Sequence, residues 1–138
     1  FILISVGIAL PKMGSPDEPR YILIRPGCYD ADKFTLQDIM KVATMFTDVM
    51  MIHDDNYVIA GQIGVMDFSV ITLKHFIQFN NPTFIKKWTM YQQDATPIRQ
   101  KGSHYVKMPQ FALTVFNIFK SFMNEKNQSR VSDLFSAF

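Results

Sequence analysis

Three histidines, one cysteine and twelve carboxylates are the side chains in this 138-residue chain best suited to covalent or metal chemistry. Cys28 follows a Pro26-Gly27 turn with no base nearby in sequence, so a structural thiol is favoured over a nucleophile. His53, His75 and His104 show no HExxH spacing and lack cysteine partners, which argues against a metal centre. Gly61-Gln62-Ile63-Gly64 lacks the third glycine and the following helix of a dinucleotide fingerprint, and no Walker loop is present. The carboxylates are scattered, and spacing assigns no acid–base pair among them. Asn127-Gln128-Ser129 fits a glycosylation sequon, a short motif that matters only in a secreted protein. These residues point away from an enzyme, a metal and a bound cofactor.

Composition bounds what remains. Hydrophobic residues make up 48% of the chain and charged residues 19%, a balance that supports a folded core rather than disorder. Thirteen Phe and nine Met suit an irregular core, and equally an adaptable apolar pocket. Residues 1–69 hold five Lys/Arg against nine Asp/Glu, whereas residues 70–138 hold nine against three. A basic second half suits an anionic partner, nucleic acid or an acidic membrane surface, although a solvated face gives the same count. No recognised nucleic-acid-binding module accompanies it. With one cysteine there is no internal disulfide, in keeping with a reducing compartment. The apolar opening Phe1–Leu10 is half the roughly 20 residues of a membrane span and has neither a basic leader nor an initiator Met. It reads as a strand entered halfway, in a chain that starts inside a longer protein.

The remaining elements follow from pattern. Pro11 to Pro19 is a loop, and Tyr21-Ile22-Leu23-Ile24 is a buried strand closed by Arg25-Pro26-Gly27. Thr35 with Asp38 forms a capping-box start, and Leu36, Ile39, Met40, Ala43, Phe46 and Met50 recur at helical spacing up to His53-Asp54-Asp55-Asn56. Val58–Met66 reads as a strand and Ile71–Phe79 as a short helix. Asn81-Pro82 supplies a cap and an N1 proline for a helix through Gln92. Ser103–Val106 is a further strand, and Pro109 opens a helix through about Asn124. The order implies an α/β fold, a mostly parallel sheet covered by helices.

Several phrases together resemble the CRAL-TRIO family, especially the animal branch of α-tocopherol transfer, retinaldehyde-binding and clavesin-like proteins. They are Ile24-Arg25-Pro26-Gly27 with Tyr29-Asp30, Phe34-Thr35 with Asp38, Gly64-Val65-Met66-Asp67, and His75-Phe76 with Gln78. The strongest is Asp94-Ala95-Thr96-Pro97-Ile98-Arg99-Gln100-Lys101-Gly102-Ser103-His104-Tyr105-Val106. It continues into Pro109, Val115–Phe122, Glu125-Lys126 and Arg130. Their order and spacing hold across about residues 7–130.

The resemblance implies a non-enzymatic, cytoplasmic carrier, transiently at membranes, with a sheet-floored cavity holding one hydrophobic molecule under a helical gate. Pro109 to about Ser129 occupies the gate position, and Ala112, Phe116, Phe119 and Met123 lie on one helical stripe within it. By the same resemblance Met40, Ala43, Thr47, Met66, Leu73, Ile98, Val115, Phe119 and Met123 contact the ligand, Thr47 offering a hydroxyl to its polar end. Arg99, Lys101, Lys126 and Arg130 match residues that bind phosphoinositide, the last two at i,i+4 on one helix face. A phosphoinositide-reading module without a second ligand is the alternative, and a small α/β enzyme a more distant one. Three departures stand out: Val70 where relatives carry Gly, implying a strained turn; Lys107 in place of Asn before the gate; and Val131–Phe138, which departs from the relatives' final strand. The domain is therefore expected to be incomplete over 1–138, lacking an N-terminal helical domain and the final strand region.

Overall fold

A computed structural model describes residues 5–11, 14, 15 and 17–134. Five strands form one sheet in sequential order: β1 (Gly7–Ala9), β2 (Arg20–Ile24), β3 (Gln62–Asp67), β4 (Gln100–Val106) and β5 (Val131–Leu134). β1 runs antiparallel to β2, and the other three pairings are parallel. Parallel neighbours need crossovers, and helices supply them. Between β2 and β3 run α1 (Leu36–His53) and α2 (Asp55–Ala60), and between β3 and β4 run α3 (Leu73–Gln78) and α4 (Pro82–Met90). A π-helical turn (Tyr91–Ala95) extends α4. Between β4 and β5 lies the gate segment: a 3-10 turn (Gln110–Ala112), α5 (Leu113–Ser121) and α6 (Glu125–Gln128).

The caps expected from sequence form. Asp38 N–H donates to Thr35 Oγ1, while Asp38 Oδ2 accepts from Thr35 N, closing a reciprocal box at the start of α1. Thr35 holds the Asp38 carboxyl below the ordinary 3.8, by its side chain first and its backbone second. Asn81 Oδ1 accepts from Phe84 N at 3.0 Å, with Pro82 in the first turn of α4.

Three expectations are corrected. The strand expected over Val58–Met66 begins only at Gln62, because Asp54 accepts from Tyr57 N and starts α2 through Ala60. Gly61 then ends that helix at φ 85°, and a Cβ there would sit 2.2 Å from the Arg99 carbonyl oxygen. The final strand judged missing exists as β5: Ser103 N donates to Arg130 O at 3.0 Å, and Val131 pairs with Ser103 in parallel register. Val70 is not strained; among described non-glycine residues only Lys107 has a positive φ, 53°. Gly27, with no Cβ, lets the Val70–Ile71 backbone pack against it, where a methyl would lie 2.6 Å from Val70 and Ile71 backbone atoms.

One buried ion pair ties the crossover to the sheet. Arg20 Nε donates to Asp54 Oδ2 at 2.7 Å, its Nη2 reaches the same oxygen, and Asp54 is 8% exposed. The carboxylate that caps α2 therefore also anchors the start of β2.

Candidate functional site

Side-chain alternation decides what the sheet presents to the helices. In register, Ile22, Gly64 and Ser103 stand side by side, as do Ile24, Met66 and Tyr105. All six line a cavity of about 190 Å3 or its neighbour of about 140 Å3. A β-bulge extends this face. Gln62 pairs with Gln100 but Ile63 pairs with Gly102, leaving Lys101 as the extra residue. The bulge restores Gln100 to the same side as Ser103 and Tyr105, where strict alternation would put it on the opposite side.

The two cavities differ in chemistry. The second is walled by Leu36, Met40, Phe68, Ile71, Phe76, Phe79, Phe84, Val115 and Phe116 among others, and is almost wholly apolar. The first combines Val6, Val42, Ala43 and Phe46 with Thr47, Tyr57, Gln62, Gln92, Gln93, Gln100 and Ser103. Ile24, Met66, Trp88, Tyr105 and Phe119 line both, so the cavities meet at a shared wall of large side chains. Among the described residues, no Asp, Glu, Lys, Arg or His lines either one.

The polar groups of the first cavity form a chain. Tyr57 Oη donates to Gln62 Oε1 at 2.7 Å, and Gln62 Nε2 donates to Gln100 Oε1 at 2.7 Å. Gln100 Nε2 then donates to Gly102 O at 2.9 Å and Ser103 Oγ at 3.1 Å. Burial pushes the Tyr57 phenol above its ordinary 10.0, which keeps it protonated as the first donor. Gln93 stands apart, accepting from Asn124 N at 3.1 Å and donating to Phe122 O at 3.4 Å, so it holds the break between α5 and α6.

Seven of the nine residues assigned to ligand contact lie on these walls. Ala43, Thr47 and Met123 line the first cavity, Met40 and Val115 the second, and Met66 and Phe119 both. The Thr47 hydroxyl donates to Ala43 O at 3.1 Å and also interacts with the Tyr57 phenol, whose proton affinity it lowers. Two residues are placed elsewhere. Leu73 is 60% exposed on the outer face of α3, and Ile98 is buried against Ile22 and Tyr57, where it supports the phenol instead of facing the cavity. Sequence reading missed Tyr57, Gln62, Gln100 and Ser103; periodicity carried no trace of the bulge that brings the last two together.

Of the four basic residues, Arg99, Lys101 and Lys126 are exposed. Arg130 lies beyond α6, and its guanidinium donates to Gln100 O. Lys126 and Arg130 therefore do not share one helix face, because α6 stops at Gln128. No helix of the described residues is long and apolar enough to cross a membrane.

Comparison with known proteins agrees with this architecture. The model of the CRAL/TRIO domain matches residues 12–134. Human clavesin-2 is 25% identical over 103 residues, 75% of this chain and 31% of that protein. Rat clavesin-1 is 24% identical over 112 residues, 81% of this chain and 31% of that protein. The crystal structure of Sfh5 superposes with a TM-score of 0.62 over 95% of this chain and 47% of that one, at 15% identity, which shows the fold. This chain thus spans about a third of the length of these curated relatives. With the family model covering almost all of it, the chain belongs to the CRAL/TRIO domain family.

Proposed function

We propose that this chain binds one small hydrophobic molecule across both cavities and carries it through the cytoplasm between membranes, making and breaking no bond. The observation that carries the reading is the pair of cavities with largely apolar walls, sharing Ile24, Met66, Trp88, Tyr105 and Phe119. Neither reaches alone the roughly 300 Å3 of a typical small-ligand site, so a molecule of that size occupies both. Ala112, Val115, Phe116, Phe119 and Met123 give the gate segment an apolar inner face, so the segment can act as the lid over such a ligand.

Delivery requires contact with a membrane. Arg99, Lys101 and Lys126 supply exposed positive charge for an anionic, phosphoinositide-containing surface, with Arg130 set between α6 and β4. Beside the second cavity, Leu73 and Ile77 are 60% and 63% exposed, and Phe111 packs its ring edge on Phe76 at 5.3 Å. An exposed apolar rim of this kind suits contact with hydrocarbon chains at a membrane. The exposed cations also favour a second reading, a phosphoinositide-binding module with no internal ligand. Mass spectrometry of organic extracts from the purified protein separates the two: a stoichiometric hydrophobic molecule is expected, and its absence together with retained phosphoinositide binding selects the second.

A further inference from the structure

We propose that Gln93 is the latch of the gate segment, a positioning residue whose bonds across the break between α5 and α6 must part each time a ligand enters or leaves. The inference rests on the ligand-binding reading above and adds what holds the gate closed. Three observations carry it.

The first is what the side chain joins. Gln93 Oε1 accepts from Asn124 N at 3.1 Å and from Asn127 Nδ2 at 3.5 Å, and its Nε2 donates to Phe122 O at 3.4 Å. Helix α5 ends at Ser121 and α6 starts at Glu125, so Phe122 O and Asn124 N are backbone groups of the break itself. One amide from a different part of the fold therefore serves both.

The second is stiffness on either side of that contact. Within the gate segment, Gln128 Nε2 donates to Met123 O at 2.9 Å and to Lys120 O at 3.2 Å, and Asn124 Oδ1 accepts from Asn127 N at 2.9 Å. These bonds span the break from inside, so α5 and α6 move as one unit. On the other side, Gln93 stands in the π-helical turn Tyr91–Ala95. Thr96 closes that turn by donating its N–H, at 3.0 Å, and its hydroxyl, at 3.1 Å, to Tyr91 O. Two fixed units thus meet through Gln93, and separation of the gate falls on its three bonds.

The third is the contrast with the apolar contacts of the same segment. Phe116 packs on Tyr105 at 4.7 Å and Phe111 on Phe76 at 5.3 Å, and such contacts change gradually as rings slide. Hydrogen bonds fall off steeply with distance and angle, so the Gln93 contact is either made or lost. Asn124 is exposed, so water takes over the parted groups and the latch opens reversibly. A few such bonds bias an open–closed equilibrium by about tenfold. The latch is made whether or not a ligand lies inside, so it cancels from affinity and governs rates.

The test measures entry and exit separately, in the full-length protein. Diphenylhexatriene, a fluorescent hydrocarbon, is titrated first to establish loading. N-phenylnaphthylamine, an uncharged apolar fluorophore soluble enough for rapid mixing, then gives both rate constants by stopped flow. In Gln93→Met, similar in length but without hydrogen-bonding groups, entry and exit are both expected to accelerate about tenfold, with Kd changed by no more than about twofold. Gln93→Asn keeps an amide on the cavity wall but is one methylene too short for the break, and is expected to accelerate both rates likewise. This milder change also covers a Gln93→Met protein that fails to fold. Wild-type rates in either folded variant overturn the latch and leave the cavity reading intact. So does a faster exit with unchanged entry, which would make Gln93 a wall residue that holds the ligand itself. Failure of the wild type to load either probe overturns the cavity reading, and this inference with it.

Discussion

Helix α3, whose Phe76 lines the second cavity, and the gate segment, whose Ala112, Val115, Phe116 and Phe119 line it too, are both walls of one space but are held by different forces, α3 through its bonds to the loop Tyr29–Phe34. In the first, nearly every bond is polar and specific. His75 Nδ1 accepts from Thr72 N at 3.2 Å, so its proton sits on Nε2 and is donated to Tyr29 O at 2.8 Å. Tyr29 Oη donates to Gln78 Oε1 at 2.8 Å, and Gln78 Nε2 reaches back to Ala31 O and Phe34 O. The Tyr29 and His75 rings meet edge-on at 4.7 Å, and His75 is 6% exposed. The gate segment, in contrast, packs through rings and aliphatic groups, such as Phe116 on Tyr105 at 4.7 Å, and α5 starts at Ala112 without a side-chain cap. Polar clamps tolerate few substitutions and fix one geometry, whereas apolar contacts are non-directional and leave a segment free to repack.

That contrast predicts unequal responses to mutation. His75→Ala removes a buried donor–acceptor pair and leaves Tyr29 O and the Thr72 amide unmet, so it is expected to cost about 2–4 kcal/mol in urea unfolding. A loss below roughly 1 kcal/mol would make the two walls energetically alike. Lys101→Ala with Lys126→Ala is expected to weaken cosedimentation with phosphoinositide liposomes about tenfold, more steeply at low salt, with stability unchanged. Wild-type cosedimentation would reduce these cations to a solvated face. At the gate's entrance, Lys107 holds a left-handed φ of 53°. Lys107→Gly is expected to relieve about 0.5–1 kcal/mol of strain and raise Tm, with Asn giving part of the gain. A lower Tm would show that the lysine side chain contributes a contact there. The smallest effect concerns acid. Asp38 is held below the ordinary 3.8 by Thr35, so its stabilising contribution is present above that value and fades as pH falls through the lower folded one. Asp38→Asn should therefore flatten the acid limb of stability against pH without altering ligand uptake; an unchanged limb would show the box adds nothing.

The same contrast explains what was legible beforehand. Tyr29, His75 and Gln78 belong to the phrases that mark the family, and the structure gives the reason: they bind one another across more than 40 residues of sequence. Helix α1 was readable because Leu36, Ile39, Ala43 and Phe46 recur at helical spacing behind a Thr35–Asp38 box. Val58-Ile59-Ala60 misled, since a short apolar run suits strand and helix alike, and Asp54 decided for helix by capping it. Leu73 and Ile98 were assigned by resemblance alone, and neither is among the residues that line the two cavities. The polar chain of the first cavity was illegible for a geometric reason: strict alternation separates Gln100 from Ser103, and only the bulge at Lys101 reunites them. β5 depends on pairing to β4, which lies about 28 residues upstream and leaves no local mark.

Gly64 permits the most direct test of a ligand held between sheet and gate. It lines the first cavity, and a Cβ built there meets nothing closer than Gln100 Nε2 at 3.6 Å, so a side chain would project into open space. Gly64→Leu should fill the cavity without strain, leaving Tm equal or higher because buried apolar area increases and a strand glycine is removed. Uptake of diphenylhexatriene should then fall at least tenfold in a protein that is demonstrably folded. A folded Gly64→Leu variant that takes up the probe as the wild type does would contradict the account, since the ligand would then have to sit somewhere other than these cavities.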